Sequence, residues 1–364
     1  MEKQHRSPKV LVYVGTYTRK DSEGIYVYRL DQASGALQLT STATGLDNPS
    51  FLTLGPQGRY LYAVNEVRQL AGKSGGGVSA FSVDPETGEL TFLNQQSSCG
   101  AGPCHVGVDK THRLAFVANY GGGTACVLPI DENGRLGPAT DVIDYEGGTD
   151  NPEHLHGHTH SVTIDPTNRY AIIANLGLDK VMSYRIDFSH SKLIPNGDPC
   201  WVPLKKGAGP RHFRFHPGGD YGYVINELDS TLSAFAYDKV KGTLKEVQTL
   251  STLPEDFEGE SNCAAVHISS SGKYLYGSNR GHDSIAIFAI DENTGKLTCI
   301  GYEPTQGKYP RSFAIDPSGD FLLVAHQNSD TIVTFRVDQQ TGKLTPTGQV
   351  TKVSIPVCVR MLAL

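Results

Sequence analysis

No run of 18 apolar residues occurs in this sequence of 364 residues, so a membrane-spanning helix is not expected. The polar opening MEKQHRSPK leads straight into VLVYVG with no apolar signal segment between them, and residues 1–9 read as a flexible extension. The seven cysteines are scattered, odd in number and without a CxxC pair. Reduced thiols in a cytoplasmic protein are therefore expected, not a disulfide framework or a zinc ribbon. The net charge is -6 and contains no basic stripe, which argues against a nucleic-acid partner. No amphipathic helix of useful length is visible. No Gly-x-Ser-x-Gly elbow is present either, which disfavours a serine nucleophile.

What the chain has in quantity is turn and strand material: 40 Gly, 20 Pro, 17 Tyr and 13 Phe. One phrase recurs. A Pro precedes a short apolar strand, Asp-Pro-x-Gly or a variant follows, a second strand ends near Asn, a third ends in Asp, and Thr-Gly-x-Leu closes the unit. The clearest copy runs from Pro310 to Leu344. The end of the second strand falls at Gly15, Asn65, Asn119, Asn175, Asn226, Asn279 and His326, marks 47 to 56 residues apart. Within each unit apolar and polar residues alternate, as in GIYVYRLD, SIAIFAID and TIVTFRVD. That period of two predicts strands, with turn chemistry between them.

Seven units of this size predict an all-β, seven-bladed β-propeller of four-stranded antiparallel blades, a single domain over residues 1–364. The first unit lacks its first strand, and the C-terminal PVCVRMLAL supplies one with nothing after it. The last segment is thus expected to complete the N-terminal blade and close the ring. Closure removes the open edges that a linear solenoid would leave. The glycine-rich stretches Gly72–Gly77 and Tyr120–Gly123 precede no helix and read as flexible blade-edge loops, not phosphate loops.

In such a ring the start of each first strand and the end of each second strand meet at one mouth of the central channel. The residue after the Pro position reads Ser50, Cys104, His160, Arg211, Ala264, Arg311 and Val357. The residue after the second-strand mark reads Thr16, Glu66, Tyr120, Leu176, Glu227, Arg280 and Gln327. His105, His158 and His212 are neighbours of these columns. Small residues would serve the fold, so converging Arg, Glu and His point to a site. The bland alternative is a set of salt bridges lining a solvated channel.

Three arginines suit a small anionic substrate and a developing oxyanion. His160 and Glu227 are the candidates for acid–base work. The polar site is expected on blades four to seven, with the remaining blades mainly closing the ring. The run His154-Leu-His156-Gly-His158-Thr-His160 could align imidazoles, but no carboxylate or Cys stands at ligand spacing, so no metal is expected. Cys104 reads as a small packing residue.

The segments YVGTYT…GIYVYRLD, HTHSVTIDPTNRY, GAGPRHFRFHPGGDYGYVINELDS and YPRSFAIDPSG resemble the propeller-type lactonase family, across essentially the whole chain. That family includes 6-phosphogluconolactonases and carboxy-cis,cis-muconate cyclases. The resemblance implies a seven-bladed propeller with a site in the mouth that needs no cofactor. It implies His160, Arg211, Glu227 and Arg280 as catalytic residues and Arg311 as a further anion-binding residue. His158, His212, Glu66 and Gln327 are expected to line the substrate. Asn175 departs from the pattern, since many relatives place Asp there.

The function expected is hydrolysis of a sugar lactone, 6-phosphoglucono-1,5-lactone to 6-phosphogluconate. A lactonising cycloisomerase acting on a carboxymuconate and a non-enzymatic propeller holding a partner or small anion are the alternatives. The expected partner is a small anionic lactone, with no nucleic acid or membrane, for a monomer or weak homo-oligomer.

Overall fold

The computed structural model describes residues 9–145 and 157–364. Among the described residues every regular element is a strand. They form seven antiparallel blades around one axis, plus a two-stranded hairpin of Gln69–Leu70 with Lys73–Ser74. The fifth blade shows the pattern: Pro210–Phe215 innermost, then Tyr221–Asn226, Thr231–Asp238 and Thr243–Ser251 at the rim. Blade four departs from four strands. Its outer position is divided between Lys192–Pro195 and Trp201–Pro203, which pair with different halves of Lys180–Asp187.

The ring closes as the termini suggest. Val10–Thr16 pairs antiparallel with Pro356–Ala363, from Val10 opposite Ala363 to Thr16 opposite Pro356. The core consists of the blade faces, where Phe116, Phe213, Phe235, Phe288, Phe313 and Phe335 are fully buried.

The recurring Thr-Gly phrase records how one blade holds the next. Asp291 accepts hydrogen bonds from the amides of Asn293 and Thr294, shaping the turn. Gly295 then takes a φ of 67°, and a Cβ there would stand 2.2 Å from the Tyr221 ring of the preceding blade. Tyr223, also on that preceding blade, donates its hydroxyl proton to the Gly295 carbonyl at 2.9 Å. Tyr13 with Gly88, Tyr62 with Gly134 and Tyr276 with Gly342 repeat the staple at 2.9 to 3.0 Å. The asparagine marks are also structural. Asn119 and Asn279 are buried and donate to the carbonyls of Ser98 and Thr252, each at 2.8 Å, tying the second strand to the chain entering the blade.

The glycine-rich stretch at Gly72–Gly77 is more ordered than a free loop. Lys73 and Ser74 form one arm of the small hairpin, and Gly77 begins a blade strand.

Candidate active site

The first mouth column has a backbone cause. In blade four Thr159 pairs with Asn175 and Ser161 with Ala174, so His160 is an extra residue without a ladder partner. The same register shift falls at Cys104, Arg211 and Arg311. A β-bulge kinks the strand and breaks the alternation of side chains, which aims these residues into the mouth instead of a blade face.

Glu227 stands at the centre of one cluster. Arg211 Nε donates to its Oε2 at 2.9 Å, and Arg280 Nη2 to its Oε1 at 2.8 Å. The two guanidinium side chains are only 3% and 2% exposed, and the carboxylate 17%. Each arginine also meets backbone carbonyls. Arg211 reaches Ala264 at 2.5 Å, and Arg280 reaches Cys263 at 2.6 Å while lying 5.1 Å from the centre of the Tyr309 ring. Burial by itself would raise the Glu227 pKa, but Arg280 and then Arg211 outweigh it and hold the group well below the usual carboxylate range. Glu227 is therefore an ionised acceptor, and its two arginines are largely engaged before any ligand arrives.

A second cluster faces the first. Arg311 Nη2 donates to the Tyr17 hydroxyl at 3.0 Å, and Tyr17 donates to Glu66 at 3.0 Å. The Ser50 hydroxyl donates to the same carboxylate. This corrects the expectation that blades four to seven carry the polar site. Tyr17 comes from blade one and Ser50 and Glu66 from blade two, and because blades seven, one and two are neighbours in the closed ring, Arg311 is linked through Tyr17 to Glu66. Ser50, Glu66, Cys104, Arg211, His212 and Arg311 line one small cavity here.

Three imidazoles pack beneath the arginines. His212 meets His160 edge-on with ring centres 5.3 Å apart and His105 at 5.7 Å. Burial lowers the pKa of both His160 and His212 well below the ordinary value, and Arg211 adds to it. His105 is lowered by burial and then by Arg214. All three are neutral bases near neutral pH. His160 Nε2 is 3.8 Å from Glu227 Oε2, too long for a direct hydrogen bond. On its other side the Cys104 sulfur lies 3.7 Å from Nδ1. Burial pushes the Cys104 thiol far up, so it stays protonated, consistent with packing and weak donation.

His158 and His160 do not line up as a pair of metal ligands. His158 stacks on Tyr120 at 4.5 Å and its Nδ1 is 2.8 Å from the Tyr120 carbonyl, while His160 meets the same ring edge-on at 5.5 Å. His154 and His156 lie outside the described residues. Asn175 uses its carbonyl oxygen to accept the His158 amide at 3.1 Å, a role open equally to Asp, so its departure from the family pattern leaves this contact intact. Leu176 is buried. Gln327 is half-buried, and its Oε1 has no hydrogen-bond partner among the described residues. Tyr17 and Tyr309 escaped the column reading because Tyr17 sits one residue beyond Thr16 and Tyr309 two residues before Arg311. Extending the second column by one residue and the first by two would have found them.

A closed β-ring whose channel mouth gathers arginines over three imidazoles defines the class: a propeller with a polar site at one end of its channel. The chain belongs to the lactonase family of seven-bladed β-propellers, whose family model matches residues 11–361. It is 36% identical over 309 residues to a 6-phosphogluconolactonase of Bacillus subtilis, with 85% of this chain and 86% of that protein covered. It is 38% identical over 311 residues to a 6-phosphogluconolactonase of Formosa agariphila, covering 84% and 86%. The solved structure of the periplasmic gluconolactonase of Pseudomonas aeruginosa is similar at a TM-score of 0.92 and 35% identity, over 98% of this chain and 99% of that one.

Proposed function

We propose that this chain hydrolyses a sugar lactone, 6-phosphoglucono-1,5-lactone, by direct attack of water in the channel mouth. The observation that carries this reading is a buried neutral imidazole, His160, held 3.8 Å from a carboxylate that two arginines keep ionised. The gap is too long for a direct bond, and a water able to donate to both groups fits that chemistry. Glu227 accepts one water proton as a hydrogen bond and so orients the oxygen. His160 takes the other proton as that oxygen bonds to the lactone carbonyl carbon. The carbonyl electron pair moves onto oxygen, and the remaining guanidinium N–H groups of Arg211 and Arg311 stabilise it. The ring C–O bond then breaks, and the imidazolium returns its proton to the leaving alkoxide. Water and lactone give one hydroxy acid.

The preference for a phosphorylated lactone is supported by the names of the two curated relatives and by Arg311, whose fork, among the described residues, is hydrogen-bonded to a neutral tyrosine hydroxyl and to no carboxylate. The gluconolactonase name of the structural neighbour makes the unphosphorylated lactone the natural comparison substrate. The test is hydrolysis of both lactones above the spontaneous rate, with and without chelator. His160→Gln should lower kcat by roughly 10²–10⁴ while leaving the strand signal in circular dichroism unchanged. Absence of acceleration on either lactone would sink the proposal. Loss of diene absorbance on a carboxymuconate, without water uptake, would replace it with ring closure by proton transfer.

A further inference from the structure

The channel carries a second set of basic side chains below the mouth. Three residues beyond the bulge, each inner strand again presents a side chain to the axis, since successive residues alternate and the intervening one is buried between blades. At this level stand Arg214 from blade five, His267 from blade six and Arg360 from blade one, with Thr53, Thr163 and two small residues completing the ring. No carboxylate occurs at this level. At the rise of a strand, the belt lies roughly 10 Å below Arg211.

Among the described residues the two arginines have no carboxylate partner. Arg360 donates to its neighbour's carbonyl, Val359, at 2.7 Å and lies 4.4 Å from the centre of the Phe51 ring. Arg214 donates to no acceptor among the described residues. It is half-buried, and partial loss of water followed by the opposing Arg360 lowers its pKa to about 10. Burial, then Arg214 and Arg360, keep His267 neutral.

A cavity of about 300 Å³ opens here at the end of the channel opposite Glu227, with His267 and Arg360 in its wall. Asp316 also borders it, but both its oxygens are engaged by its own turn, accepting from the Ser318 amide and hydroxyl and from the Phe321 amide. Two half-buried guanidinium groups that face each other without a carboxylate between them repel, and an anion entering there would relieve that repulsion. The space is ample for one.

We propose that Arg214, Arg360 and His267 form a second anion site, distinct from the mouth, that takes a small oxyanion of the inorganic phosphate class. Arg360 and His267 meet the anion from the cavity wall, and Arg214, which stands outside that wall, adds its charge from blade five at the same level. The test follows the His267 ring by NMR, assigned with His267→Gln, while inorganic phosphate is titrated against chloride at constant ionic strength. Saturable movement of the His267 signals is expected in the wild-type protein and in Arg311→Gln, which weakens only the mouth. Arg214→Gln and Arg360→Gln should each weaken that response by roughly tenfold or more, the effect of losing one charge-assisted contact. His267 signals that stay still in the wild-type protein, or that move equally with chloride, overturn the proposal whether or not the variants fold. So does a response abolished by Arg311→Gln and untouched by Arg214→Gln.

Discussion

Glu227→Gln is the sharpest single perturbation of this molecule. It keeps the shape of the side chain and removes one charge. Arg211 and Arg280, at 3% and 2% exposure, would then face each other without a counter-ion. Breaking a buried pair from one side costs about 3–5 kcal/mol, because the surviving charge is left uncompensated. Two survivors would suggest more. However, the Gln carbonyl still accepts from one arginine, and both arginines keep their backbone acceptors at Ala264 and Cys263, so the same range is the expectation. Against a total stability of about 5–15 kcal/mol, the variant stays folded with a much smaller margin. Urea unfolding should show the midpoint falling by on the order of 1 M with the slope unchanged. Inorganic phosphate should stabilise the variant more than the wild-type protein, because the freed forks can take an oxyanion in place of the carboxylate. A loss below about 1 kcal/mol with no added response to phosphate would refute the reasoning, since it would mean that solvent already compensates these arginines.

Acid should destabilise the fold early. His105, His160, His212 and His267 all have folded pKa values below the ordinary one, so the unfolded chain binds more protons. Their stabilising effect is complete above about pH 6.5 and declines as pH falls, by roughly 1 kcal/mol per pH unit for each imidazole. Urea midpoints measured from about pH 8 to about pH 5 should show this slope, and His212→Phe should reduce it by one proton. Gly342→Ala combines a φ of 73° with a Cβ 2.4 Å from the Tyr274 ring, and should cost about 1–3 kcal/mol in the same assay. Arg311→Gln should raise KM by about tenfold for the phosphorylated lactone and by less for the plain one, as read from paired steady-state kinetics. Deleting residues 356–364 removes the strand paired along Val10–Thr16 and should abolish the cooperative thermal transition, because blade one loses its inner edge.

Much of this architecture was legible in the sequence because it rests on local rules repeated seven times. Alternation predicted the strands, and Asp and Thr-Gly marked the turns. The unmatched PVCVRMLAL at the C-terminus predicted the closure later seen between Val10–Thr16 and Pro356–Ala363. Aligning the repeats also brought His160, Arg211, Glu227, Arg280 and Arg311 to one rim, since ring geometry converts register into proximity. Tertiary structure decided how those charges are used. Sequence spacing cannot show that one carboxylate, Glu227, occupies both Arg211 and Arg280, or that Arg311 is instead held by Tyr17 and, through it, Glu66. Nor can it show which imidazoles are desolvated enough to stay neutral. Those properties depend on distances across the channel and on the exclusion of water, which exist only once all seven blades are assembled.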